Sequence, residues 1–269
     1  MTILMCRPDF FEVSYEINPW MSLERQSNHP LALKQWNRLY SVLSSLTEVK
    51  LVEPQAGLPD MVFTANAGFV RGKEVYLAHF RHAERQGERE HFQNWFLENG
   101  YHVVDDGLSS PETKEQTRVF FEGAGDLLAA GNYVFAAHGF RSDPSAYKSI
   151  SQWLSDLKLI QVELVNPYFY HLDTCFCPLA DDLALVVPSA FSPESLSRIR
   201  SVIDTIEVCE SDAKRFAANA VVVENTIVLP LGCDTTEAQL KNRGFDVIQV
   251  AMTEFLKSGG AAKCLTLAI

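Results

Sequence analysis

The sequence predicts an α/β fold, a five-bladed propeller of pseudo-fivefold symmetry whose ring is closed by the N- and C-terminal strands. Two observations lead there. A unit of hairpin, helix and strand recurs along the chain at about 45–58 residues, the kind of period that marks propellers and solenoids. One further hairpin is missing from the interior, and its two halves stand at opposite ends of the chain. A length of 269 residues, with 47% of them hydrophobic and 21% charged, suits a single domain over residues 1–269 with a substantial core.

Each element follows from local pattern. The segment "PLALKQWNRLYSVLSSL" reads as a helix and "TEVKLVE" after it as a strand. Four hairpins come next, over 64–80, 121–140, 171–191 and 216–233. Each pairs two short apolar runs across a turn of Gly, Asn or Asp: Arg71-Gly72-Lys73, Ala130-Gly131-Asn132, Ala180-Asp181-Asp182 and Glu224-Asn225-Thr226. Helical segments follow at "AERQGEREHFQNWFLENG", "PSAYKSISQWLSDLK", "SPESLSRIRSVID" and "TTEAQLKNRG". Ser192 with Pro193, or Thr235 with Thr236, would cap their starts, and Gly100 or Gly244 would end them. The strands "YHVVD", "LIQVELV", "TIEVCE" and "FDVIQVA" complete the units. The fifth hairpin is split: "AAKCLTLAI" is expected as its first strand and "TILMC" as its second. Pairing the two would remove the open edges that a linear array leaves exposed.

Bulk properties exclude several classes. A net charge of −11, with the acidic residues scattered, lacks the basic footprint of a nucleic-acid binder and suits a cationic small substrate. No apolar run approaches the length of a membrane helix, and "MTILMCRPDFF" lacks the pattern of a signal peptide. Six cysteines in a chain of this size are expected as reduced thiols, hence in the cytoplasm. Cys175 and Cys177 have no second pair with zinc-site spacing, so neither a metal nor a cofactor is expected. Whether copies of the chain associate is left open.

In such a ring the segments just before each first strand converge on the central axis. They carry Asp60 and Asn66, Glu122 and Asp126, His171 and Asp173, Asn219, and Cys264, among many Gly and Ala. Each has an ordinary alternative. Asp126 could cap a turn, His171 could be a satisfied core histidine, Asn219 could hold a loop, and Cys264 could be a small core residue on a last strand. Together, however, a buried set of polar groups without a task would be costly. A thiol, an imidazole and carboxylates suit nucleophilic catalysis on a cation, with Cys264 as nucleophile.

With these residues the chain resembles the guanidino-group-modifying enzymes: arginine deiminases, dimethylargininases, amidinotransferases and arginine or succinylarginine dihydrolases. The resemblance covers nearly the whole chain and implies the five-bladed propeller. "GGAAKC" matches the family's nucleophile context and implies that role for Cys264. "HLDT" implies acid/base work for His171 and a guanidinium contact for Asp173; the "GD" motif falls on Asp126. Glu122 is expected to orient the guanidinium, and Arg85, Arg141 and Asn18 to hold the amino-acid end of the substrate.

Two departures point within the family. Deiminases and dimethylargininases carry an acidic residue after "PDxVF" and a compact Glu-(Gly/Ala)-Gly-Asp, whereas this chain has neutral Asn66 in "PDMVFTANAG", and "EGAGD". Both resemble arginine dihydrolases, above all the long form fused to an ornithine-processing domain, as does the early "EINPWM". The expectation is therefore hydrolysis of L-arginine, or a related guanidino amino acid, to ornithine, two ammonia and CO2 through a thiouronium on cysteine. An amide could offer oxygen to a guanidinium and NH2 to a ureido carbonyl, whereas a carboxylate would repel the latter. The rivals are single hydrolysis to citrulline by an arginine deiminase or dimethylargininase and, more remotely, a non-catalytic arginine-binding propeller.

Overall fold

A computed structural model describes residues 1–104 and 119–269. Among these residues the framework is five three-stranded sheets, and every sheet repeats one plan. The first holds β1 (Thr2–Cys6), then helix α1 (His29–Leu46) and β2 (Glu48–Val52), parallel to β1. The second holds the hairpin β3 (Gly68–Arg71) and β4 (Glu74–Leu77), helices α2 (Ala83–Gln86) and α3 (Glu88–Glu98), and β5 (His102–Val103). The third runs β6 (Leu127–Ala130), β7 (Tyr133–His138), α4 (Tyr147–Trp153), β8 (Lys158–Glu163). The fourth runs β9 (Phe176–Ala180), β10 (Leu183–Val186), α5 (Pro193–Arg200), β11 (Asp204–Glu207). Helix α6 (Glu210–Ala213) leads to β12 (Val221–Val223), β13 (Thr226–Pro230), α7 (Asp234–Asn242) and β14 (Asp246–Val250). After α8 (Thr253–Leu256), β15 (Leu267–Ala268) pairs antiparallel with β1, Ile3 opposite Ala268 and Leu4 opposite Leu267, so the two ends of the chain share one sheet.

The plan has a simple cause. Two-residue turns join the antiparallel strands: Gly72-Lys73, Gly131-Asn132, Asp181-Asp182 and Glu224-Asn225. The first residue of three of them, Gly72, Gly131 and Glu224, takes the left-handed conformation that tight hairpins demand. A parallel third strand needs a long crossover, and in each sheet a helix provides it. These are the five α/β blades expected from the repeats. Residue 105, the last of the expected strand "YHVVD", lies outside the described residues.

Helix α1 shows how pattern becomes packing. Asn28 caps it, its side chain accepting from the Leu31 amide at 3.0 Å, and Pro30 occupies the first turn. Ala32, Gln35, Trp36, Leu39, Val42 and Leu43 then form one buried stripe at helical spacing. Gly100 and Gly244, just beyond α3 and α7, have positive φ, the expected helix stops.

Three local expectations need correction. The helix at 83–100 is broken at Gly87 into α2 and α3. Thr235 and Thr236 lie inside α7, and Thr236 receives its bonds from Asp212: the carboxylate accepts from its amide and from its hydroxyl, both at 2.8 Å. A carboxylate brought in from α6 thus supplies what a local cap would have given. Last, "AAKCLTLAI" is strand only at Leu267–Ala268, and Cys264 sits in the turn before it. Asn219 captures the amides of Ala261 and Cys264, so these two donors go to a side chain. Among the described residues no helix is long and apolar enough to cross a membrane.

Candidate active site

The segments preceding β3, β6 and β9 are short 3-10 turns, at Pro59–Val62 and Thr64–Ala67, Gly123–Gly125, and Leu172–Thr174. With the turn around Cys264 they carry the polar residues to one place. Glycine makes the approach close enough. A Cβ on Gly123, whose φ is +59°, would lie 2.6 Å from the Gly68 nitrogen, and one on Gly125 would lie 2.2 Å from Asn66 Nδ2.

Cys264 and Asp173 form the first pair. The thiol donates to Asp173 Oδ2 at 3.3 Å, while Asp173 Oδ1 is buried without a hydrogen-bond partner among the described residues. Burial lifts the Asp173 carboxyl to about 6, against the pull of Lys263. Burial, and then the charge of Asp173, push the Cys264 thiol well above its ordinary value. The resting cysteine is therefore a thiol, and a cation placed between it and Asp173 would favour the thiolate.

His171 and Glu122 form the second pair. His171 Nε2 donates to Glu122 Oε2 at 2.8 Å, and Arg141 Nη1 donates to the same oxygen at 3.0 Å. Glu122 is fully buried, which by itself would raise its carboxyl, but Arg141 and His171 outweigh burial and hold it well below the usual carboxylate range. It is a fixed anion that orients the imidazole through one nitrogen. The other, Nδ1, has no hydrogen-bond partner among the described residues.

Asn66 and Arg85 form the third. The Asn66 oxygen accepts from Arg85 Nη1 at 2.8 Å, and its Nδ2 is buried with no partner among the described residues. A guanidinium has only donors, so the amide must turn its oxygen to it. Arg85 is itself held, donating from Nε and Nη2 to the two oxygens of Glu88 at 2.7 and 2.8 Å and from Nη2 to the Asp60 carbonyl at 3.1 Å. One of its five N–H groups is left over among the described residues. Burial, opposed by Arg85, lifts Glu88 to about 7. Asp60 lies behind this cluster with its carboxyl raised by burial.

The remaining expected residues take different places. Asp126 spends its oxygens on the fold: Oδ1 accepts from the Leu172 amide at 3.2 Å, and Oδ2 from the Ser142 hydroxyl at 2.6 Å. Burial raises its carboxyl to about 6. Arg141 lies over the Tyr170 ring, donates to the Ile17 carbonyl, and keeps further N–H groups in hand. Asn18 bridges the chain's early and late segments, donating to the Ser258 carbonyl at 3.0 Å and accepting from the Trp20 amide at 2.9 Å. It faces Gly259, where a Cβ would approach Asn18 Oδ1 to 2.9 Å.

Sequence reasoning passed over three contributors. Asn219 was placed at the centre without a task, yet it donates to Cys264 Sγ at 3.0 Å. Glu88 stands at i+3 from Arg85, a spacing that signals an ion pair on a helix. Ser142 bonds both the Asp126 carboxylate and the Glu122 amide, and no local signal announces it. All six cysteines are free. Cys175 packs against the His171 and Leu172 carbonyls, whereas Cys177 turns to Ala220.

A buried thiol beside a carboxylate with one unpartnered oxygen and a carboxylate-held imidazole, on five repeated α/β blades, point to the class of guanidino-group-modifying enzymes. The chain belongs to the family described as N,N dimethylarginine dimethylhydrolase, eukaryotic, whose model matches residues 12–269. It is 44% identical over 99% of its length to the bifunctional arginine dihydrolase/ornithine cyclodeaminase ArgZ of Synechocystis, and 43% to its counterpart AgrE of Nostoc, covering 37% of each. The chain thus spans little more than a third of those relatives. It is 39% identical to the N(G),N(G)-dimethylarginine dimethylaminohydrolase of Mycobacterium tuberculosis, of which it covers 84%. Among solved structures, the N-terminal domain of ArgZ, in a cysteine-to-serine mutant bound to substrate, superposes with a TM-score of 0.91, with 99% of this chain and 97% of that one covered. A dimethylarginine dimethylaminohydrolase at 20% identity, TM-score 0.81, shares the fold.

Proposed function

We propose that the protein is an arginine dihydrolase, converting L-arginine and two waters to ornithine, two ammonia and CO2, with all of its chain acting as one catalytic unit. The observation that carries this is the orientation of Asn66. Its oxygen is bound to Arg85, so the amide shows the site an NH2 group. Such a donor matches the ureido carbonyl of citrulline, the product of one hydrolysis, and keeps it for a second. The two relatives named as bifunctional arginine dihydrolases support the same substrate.

The guanidinium binds against Asp173 Oδ1, its charge favours the Cys264 thiolate, and the thiol proton passes to the imidazole of His171. The thiolate attacks the guanidinium carbon, and His171, held by Glu122, gives a proton to departing ammonia. The same imidazole then activates water, which breaks the C–S bond of the thiouronium and leaves citrulline. Citrulline swings its carbonyl oxygen to Asn66 Nδ2, Cys264 attacks again, and the second ammonia leaves. Water cleaves the resulting thiocarbamate to N-carboxy-ornithine, which loses CO2. Arg141 and Asn18 hold the amino-acid end. Arg85 serves chiefly through Asn66, and Asp126 through the backbone of Leu172. Six free thiols suit a reducing cytoplasm.

The matching family model and the mycobacterial relative favour a second reading, release of citrulline from methylated arginine. Product counting separates the two. Two ammonia and one ornithine per arginine, without lasting citrulline, is the expected result. One ammonia with stoichiometric citrulline, or turnover confined to methylated arginine, would establish the other.

A further inference from the structure

We infer that Asn219 is a positioning residue for Cys264, holding the sulfur in place and stabilising it as an anion in both attacks. This rests on Cys264 being the nucleophile, as proposed above.

Asn219 is fully buried and uses every hydrogen-bonding valence of its side chain. Nδ2 donates to Cys264 Sγ at 3.0 Å and to the Asp173 carbonyl at 2.8 Å. Oδ1 accepts from the amides of Ala261 and Cys264 at 3.1 and 3.2 Å. Its backbone carbonyl accepts from the Lys263 amide as well. One side chain therefore ties the nucleophile's turn to the segment that carries His171 and Asp173. An amide is the only neutral side-chain group that can donate twice and accept twice at such a site.

The chain accepts local strain to put it there. Phe216, three residues earlier, has a φ of 62°, in the left-handed region that is strained for a non-glycine residue. Its ring is locked, fully buried 4.9 Å from Trp20 and 6.3 Å from Phe169, and its carbonyl accepts from the Asn219 amide at 2.9 Å. Such strain persists only where packing over-determines it, and here it sets the direction of Asn219.

The donor matters because the other groups around the sulfur are unevenly disposed. Burial and then the charge of Asp173 raise the thiol, while Lys263, the neighbouring residue, is bound to the Thr266 carbonyl. Asn219 Nδ2 is the side-chain donor that reaches the sulfur itself. A hydrogen bond to the charged form favours that form, and it serves again when Cys264 leaves the thiouronium and the thiocarbamate.

The experiment uses Asn219→Asp, which keeps the acceptor for Ala261 and Cys264 and removes the donor. The pH profile of inactivation by iodoacetamide is read on the ligand-free protein, with the modified cysteine identified by mass spectrometry. The expected result is a profile moved up by at least one pH unit, a kcat about 100-fold lower and a KM for arginine changed less than threefold. An unchanged profile and kcat in a folded variant overturns the inference and leaves the nucleophile intact. Turnover that survives alkylation of Cys264, or that persists in Cys264→Ser, overturns the nucleophile itself. Should Asn219→Asp not fold, the side-chain amide resonances of Asn219 in the 15N-labelled wild type decide. Their movement as Cys264 titrates supports the role, and their constancy removes it.

Discussion

Asn66 and Arg85 face each other with the amide oxygen 2.8 Å from Nη1, and that bond settles which end of the amide the site sees. Sequence alone leaves Asn66 free to offer either oxygen or NH2. Arg85, pinned by the two oxygens of Glu88, can only donate, so the NH2 end is turned inward. Replacing Asn66 by Asp swaps that donor for an oxygen, which repels a ureido carbonyl. The expected outcome is a fall from two ammonia per arginine to one, with citrulline accumulating in the medium, measured by amino-acid analysis.

Arg85→Met tests the same lock from the other side. Without the guanidinium the amide can rotate, and citrulline should escape in a measurable fraction of turnovers. The variant also leaves Glu88 buried and unpaired. Burial already lifts Glu88 to about 7 with Arg85 present, and removing Arg85 raises it further. A raised folded-state value means stability that is present at low pH and lost as pH rises through it. Thermal melts should therefore show a larger loss relative to wild type at pH 8 than at pH 6.

Arginine binding should titrate with Asp173. A guanidinium needs the carboxylate ionised, and burial sets that transition at about 6. In a Cys264→Ser variant, calorimetry should find an affinity that is constant above about pH 7 and weakens as pH falls through 6, approaching tenfold per unit below it. Asp173→Asn should weaken binding at pH 8 by at least 100-fold and flatten this part of the profile.

Glu122→Gln keeps the shape and removes the charge beneath Arg141 and His171. Breaking a buried ion pair from one side costs about 3 kcal/mol or more. Because Glu122 is held below its ordinary value, its contribution is present above about pH 4.5 and is lost as pH falls through the depressed folded-state value. Chemical denaturation should thus show the deficit in full at pH 7 and a smaller one in acid. Turnover should drop by about 100-fold, since the imidazole loses the anion that orients it.

How far the sequence can be read varies with the range of the interactions. The hairpins and α1 were legible because turn chemistry and the apolar stripe of Trp36, Leu39 and Leu43 act within a few residues. The helix break at Gly87 and the cap of α7 were not. Gly87 packs against Leu58, and Asp212 reaches Thr236 from another helix. At the site, Cys264, His171, Asp173 and Glu122 could be gathered because the repeat places them all before a first strand. The tasks of Asn219, Glu88 and Ser142 could not be read in this way. Nothing in "FAANA" says that its amide will meet a sulfur 45 residues further on.

Composition, periodicity and the split hairpin were enough, then, to determine the blades, their number and the residue types at the centre, because these depend on near-neighbour pattern. Only the tertiary structure decided orientation: which oxygen of Glu122 takes both Arg141 and His171, which end of Asn66 faces inward, and which carboxylate oxygen is left unpaired. Hydrogen bonds are directional and short, so those choices are made by groups far apart in sequence and brought within about 3 Å of one another by the fold.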